Sequence, residues 1–210
     1  DVGAGFFADE VAAMGADAGA LLSSGTAKRR GAAADTIKTD VRVAPFAYDE
    51  TSGSWVRTAT VSTSEGYERV RLDTVMFKDA TGAAVKLPSF ATVETIVYRR
   101  NVDRTRGSNR SNVTISIDMA LSTEGDTTLI SNGTMNGTFN GEGIAEGKIT
   151  DVTRTYENHR WGYPTGGDVY VDLPNFTYEI AYQGGGSALA YVTNKRRDRV
   201  REISVQVDQS

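Results

Sequence analysis

The chain has 210 residues, one histidine, no cysteine and a formal net charge of -4. That length suits one large β domain or two small ones, and it buries a core without covalent staples. Without cysteine there is no disulfide, thiol nucleophile, iron–sulfur cluster or thiolate zinc site, and a single histidine cannot build a two- or three-histidine metal centre.

Residues 6–25, FFADEVAAMGADAGALLSSG, predict a helix over 6–23. Phe7, Val11, Met14, Ala18 and Leu21 recur at spacings of four and three, which is one helical face. Asp9 and Glu10 sit near its start, where the helix dipole favours negative charge, and Ser23, Ser24 and Gly25 stop it. Gly15 and Gly19 open a small-residue groove that another backbone could approach, and Asp17 between them argues against a membrane dimer motif. TAKRRGAAAD is a small basic linker, so residues 1–35 form a helix with its linker and residues 36–210 a second unit.

From Thr36 the period becomes two. TIKTDVRV sets Ile37, Thr39, Val41 and Val43 against Lys38, Asp40 and Arg42, and Pro45 interrupts it. WVRTATVST follows a turn. YERVRLDTVMF sets Val70, Leu72, Thr74 and Met76 against Arg69, Arg71 and Asp73. KDATGAA is a hairpin signal, and FATVETIVYRR leads to a basic loop at 99–112. VTISIDMALST is the clearest strand, with Val113, Ile115, Ile117, Met119 and Leu121 on its core face. Further strands read at TTLIS, GKITDVTRTY, GDVYVDL, FTYEIAY, SALAYVT and VREISVQV. Turn signals at regular intervals predict a mainly β fold: one antiparallel β-sandwich or β-barrel domain of about ten strands with an N-terminal α-helix. No βαβ unit is visible, which argues against Rossmann-type and TIM-type enzymes.

Residues 132–143, NGTMNGTFNGEG, nearly repeat a four-residue unit three times. Three tandem Asn-Gly pairs cannot all be hairpin turns, so the segment reads as a glycine-kinked or bulged strand that another backbone or a ligand approaches. Asn109, Asn112, Asn132, Asn136 and Asn175 lie in N-x-S/T sequons, read here as turn and strand residues.

Two segments are basic: Arg99, Arg100, Arg104, Arg106 and Arg110, then Lys195, Arg196, Arg197, Arg199 and Arg201. Each holds one aspartate, so together they carry +8 against -12 on the rest. Such runs are read as solvated hairpin ends or edge charges. They lack the aromatic interleaving of a single-strand nucleic-acid platform, so no specific nucleic-acid partner is expected.

The remaining chemistry is narrow. His159 is the only histidine available to a serine triad, and no G-x-S-x-G elbow is present. His159, Arg160, Trp161 and Tyr163 form an arginine–aromatic group between two β-like runs. Aromatic and arginine anchors make binding patches, and Trp161 with Tyr163 equally suits a plug at one end of a barrel. The composition points to no catalytic residue, no metal and no cofactor. It points to an exported, non-enzymatic structural or interaction domain, extracellular or in the cell envelope, adhesin-like or an assembly subunit. Its expected partner is a protein or a second copy rather than a small molecule. Export requires a signal peptide outside this chain; no apolar run here spans a bilayer, and peripheral or lipid anchoring is compatible. Two alternatives are a β-barrel or β-cup carrier for an apolar small molecule, its cavity lined by Tyr178, Tyr182, Ile115 and Ile117, and a small hydrolase using a carboxylate pair.

Overall fold

Period-two alternation makes strands, and the strands pair almost entirely with their neighbours in sequence. The computed structural model describes residues 2–24, 39–64, 66–106, 113–125, 127–157 and 160–207. The linker at 26–35, His159, Arg110, Asn109 and Asn112 lie outside the described residues. Among the described residues one helix, α1 (Val2–Ser24), precedes fourteen strands: β1 (Thr39–Val43), β2 (Ala47–Asp49), β3 (Ser54–Thr63), β4 (Tyr67–Lys78), β5 (Thr95–Arg106), β6 (Val113–Glu124), β7 (Thr128–Phe139), β8 (Glu142–Gly143), β9 (Glu146–Glu157), β10 (Arg160–Trp161), β11 (Gly166–Asp172), β12 (Phe176–Gly184), β13 (Ser187–Asn194) and β14 (Arg199–Gln206).

All belong to a single antiparallel sheet. Its order is β1-β3-β4-β5-β6-β7-β9-β11-β12-β13-β14, and the terminal strands β1 and β14 do not pair with each other. The three remaining short strands lengthen existing ladders. β2 continues the edge of β3 beyond β1, β8 pairs β7 beyond β9, and β10 pairs β9 beyond β11. The fold is therefore mainly β with an N-terminal helix, as the alternation and the first segment predicted.

The helix is inside. Phe7, Val11, Met14, Ala18 and Leu21, the face expected from spacing, are buried, but so are Ala4, Ala8, Ala12, Leu22 and Glu10 around the rest of the cylinder. A helix apolar on nearly every side belongs in a core. Gly5, Asp9, Ala16 and Ala20 remain half-exposed. Their spacings of four, seven and four put them on one stripe. Helix and sheet share one hydrophobic core, including Phe7, Tyr98, Ile117 and Ile180.

Three readings change in three dimensions. The expected basic loop at 99–112 is strand through Arg106, because β5 pairs residue for residue with β4 and β6. On β4 the inner residues are Arg71, Asp73, Val75 and Phe77, whereas Leu72 on the presumed apolar face is exposed. The groove at Gly15 and Gly19 accepts side chains rather than a backbone. A Cβ on Gly15 would lie 2.7 Å from Arg154 Nε, and one on Gly19 2.5 Å from Trp161 Nε1.

The Asn-Gly repeat divides into two uses. Asn140 and Gly141, with φ of 53° and 81°, form the two-residue turn between Phe139 and its partner Glu142. Gly133 and Gly137 lie inside β7, where any Cβ would collide with the β6 backbone at Asp118 and Thr114. Close backbone approach, not a ligand, accounts for them.

One irregularity positions an inward side chain. Between Ser131 and Gly133 of β7, and again between Gly166 and Asp168 of β11, the register on β9 advances by one extra residue. The surplus residue is Asp151, at φ 49°. Asn132 secures it: its Oδ1 accepts from the Asp151 backbone N–H at 3.0 Å, and its Nδ2 donates to Asp151 Oδ1 at 3.2 Å. The bulge shifts the side-chain parity. Gly147 and Ile149 face inward before it, Val152 and Arg154 after it.

Candidate functional site

Glu10 and Asp17 stand seven residues apart on α1, two helical turns, and so project toward the same part of the sheet. There they meet the inner residues of β3, β4 and β5. Arg100 is the hub and is fully buried. Its Nε donates to Asp73 Oδ1 at 2.6 Å and its Nη1 to Glu10 Oε2 at 3.0 Å. Its Nη2 donates to Asp17 Oδ2 and to Tyr98 Oη, both at 3.0 Å. Arg57 bridges the same aspartates, donating from Nε to Asp73 Oδ2 at 2.9 Å and from Nη1 to Asp17 Oδ1 at 3.2 Å. Its guanidinium also lies 4.2 Å from the centre of the Phe46 ring. Arg69 pairs with Glu10. Tyr98 donates to Asp17 Oδ2 at 3.1 Å.

The electrostatics follow from that geometry. Burial alone would raise the Asp73 carboxyl; Arg100, Arg71 and Arg57 outweigh it and hold the group well below the usual carboxylate range. Burial works against Arg57 too, but the carboxylates of Asp17 and Asp73 keep its guanidinium firmly charged. Burial also pushes the Tyr98 hydroxyl well up, so it acts as a neutral donor. A cluster of this kind is costly to desolvate, and pairing on several sides is what allows it in a core.

Farther along the helix, Arg154 packs on Gly15. Its Nη2 donates to the Ala12 carbonyl at 2.6 Å and its Nη1 to the Gly162 carbonyl at 3.2 Å. Burial pushes it down to about 10, partly offset by Asp17. Tyr182 donates to the Ala8 carbonyl at 2.6 Å.

The residues singled out in the sequence disperse. Trp161 is buried against Gly19, with the Tyr156 and Phe90 rings at 5.2 and 5.9 Å. Tyr163 is exposed and touches Gly186. Arg160 begins β10, opposite Glu157. Arg99 points outward to Asp118 Oδ1 at 2.5 Å, whereas Arg100 next to it is the buried hub. Arg104 lies 4.6 Å from the Phe6 ring centre. Arg106 ends β5 opposite Tyr67. Lys195, Arg196 and Arg197 occupy the exposed turn before β14, where Lys195 pairs with Asp172 and the Arg196 and Arg197 backbone N–H groups donate to Asn194 Oδ1.

Sequence reasoning missed the inner cluster. Its signal was present: Glu10 and Asp17 seven apart in a helix whose one other charged residue is Asp9, and Arg69, Arg71 and Asp73 at strand spacing. Fold and cluster together define a helix-filled antiparallel β domain with a charged core. Comparison with known proteins finds no matching family model, no similar curated protein and no similar solved structure.

Proposed function

We propose that this chain is a non-enzymatic structural or interaction domain, working at the cell envelope or outside the cell, and that it engages protein through its outer surface. The observation that carries this reading is the occupied interior. A carrier or a hydrolase on this scaffold needs inner space, and α1 takes it. Tyr178 lies 5.5 Å from the Phe7 ring, Tyr182 is bonded to the helix backbone, and Ile115 and Ile117 are buried in the same core. Those four residues were the expected lining of a carrier cavity. The inner carboxylates are engaged by arginine rather than poised as an acid and base pair.

The outer surface offers anchors at one edge of the sheet. Val200 on β14 is 63% exposed and Tyr191 on β13 is exposed. Their register partners, Thr193 and Glu202, make them diagonal neighbours on one face. Among the described strands β14 pairs on one side alone, and a strand with one unpaired side is a template for another chain. Sedimentation velocity on the wild type and on a Tyr191→Ser, Val200→Lys double variant tests this. Concentration-dependent association lost in the variant, with an unchanged melting curve, supports the reading. A wild type that stays monomeric and turns over esters or glycosides overturns it.

A further inference from the structure

Within the cluster around Arg100 the charges do not balance. Glu10, Asp17 and Asp73 give three carboxylates, against four guanidinium groups from Arg57, Arg69, Arg71 and Arg100. Arg71 is the one left over. Its Nε lies 3.2 Å from Asp73 Oδ2, an oxygen that already accepts from Arg57, and that Nε has no hydrogen-bond partner. Of its side-chain nitrogens, Nε alone is both sealed from solvent and without a partner. The side chain is only 10% exposed, so water reaches little of it. Burial, reinforced by repulsion from Arg100, pushes its pKa down. A buried cation with unspent donors is unstable unless something anionic meets it.

A second guanidinium stands beside it. Arg69, two residues earlier on the same face of β4, uses Nη2 on Glu10 but keeps a buried Nε with no partner. It is 24% exposed, more than Arg71, so solvent reaches the pair at the Arg69 end. Alternate residues on a strand face project about 7 Å apart, a separation that one polyatomic anion spans. Arg104, directly across from Arg69 on β5, adds positive field.

We propose that Arg71 and Arg69 form a binding site for a small free oxyanion of the phosphate or sulfate type, entering from the Arg69 side. Guanidinium N–H donors lie in a planar fork that fits two oxygens at once, so an oxyanion satisfies both arginines where a spherical halide cannot. Bound there, it brings the anionic groups level with the four cations and lifts the desolvation penalty on Arg71. The site lies within the protein's core and does not depend on the interaction reading above.

The test is a titration of the full chain with inorganic phosphate, and separately with sulfate, at constant ionic strength set with sodium chloride. The readouts are the arginine Nε–Hε resonances in nitrogen–proton spectra and the melting temperature. The expected result is a saturable shift of the Arg71 and Arg69 signals and a rise in melting temperature that chloride does not give. Arg71→Gln should fold, since it removes a surplus charge, and should weaken the response about tenfold or more, the worth of a charged hydrogen-bond pair. Arg99→Gln, on the outer face, should respond as the wild type does. Arginine signals unmoved by phosphate and sulfate, an equal response to chloride, or an undiminished response in Arg71→Gln would each overturn the proposal. The wild-type spectra decide the matter even if the variant does not fold.

Discussion

At Trp161 and Tyr163, two aromatics two positions apart have opposite environments, and a single substitution at each separates packing from contact. Trp161 fills the space that Gly19 leaves on the helix, so Trp161→Ala should lose about 3 kcal/mol or more of stability. Tyr163→Ala removes an exposed ring and should leave the melting temperature nearly unchanged. Paired thermal melts check both. Arg100 gives a sharper case. Arg100→Met takes one charged donor from each of Asp73, Glu10 and Asp17 and leaves them only Arg57, Arg69 and Arg71, and breaking one partner out of a buried charge set costs about 3–5 kcal/mol. Chemical denaturation of that variant should show the loss, whereas Arg99→Met, one residue away on the outer face, should cost little. A sequence shows Arg99 and Arg100 as equals; only the pleat tells them apart.

The informative elements are α1 and β9. The face of α1 was readable from spacing, but its remaining faces were not, because alanine and glycine carry little hydrophobic signal and yet are what an enclosed helix needs. Deleting residues 1–24 removes the filling of the sheet and should prevent folding rather than release a separate β domain, as loss of near-ultraviolet circular dichroism would report. On β9 the bulge at Asp151 decides which residues reach the helix. Removing Asp151 alone should turn Arg154 and Val152 outward and unfold the sheet, while Asp151→Gly, which tolerates the same φ, should be accepted. Expression and melting of the two variants distinguish parity from side-chain chemistry.

For the whole molecule, the charged core sets a pH response. Asp73 titrates lower in the folded chain than unfolded, so its contribution is fully present above the unfolded value of about 4 and fades as pH falls through the folded value beneath it. The melting temperature should therefore hold between neutral and mildly acid pH and fall steeply below about pH 4. Asp73→Asn should be less stable at neutral pH and should lose part of that acid slope. Melts across that range measure both.

Local periodicity by itself determined the mainly β class, the helix at the start and the inner face of β6, because each depends on neighbours a few residues apart. Tertiary structure decided the rest: a single unclosed sheet, a helix enclosed within it and an inner face of β4 that is charged. Arg69, Arg71 and Asp73 point inward only because Glu10, Asp17, Arg57 and Arg100, distant along the chain, arrive at the same place. A pattern of polar and apolar residues records which face is charged but not whether partners wait inside to neutralise it.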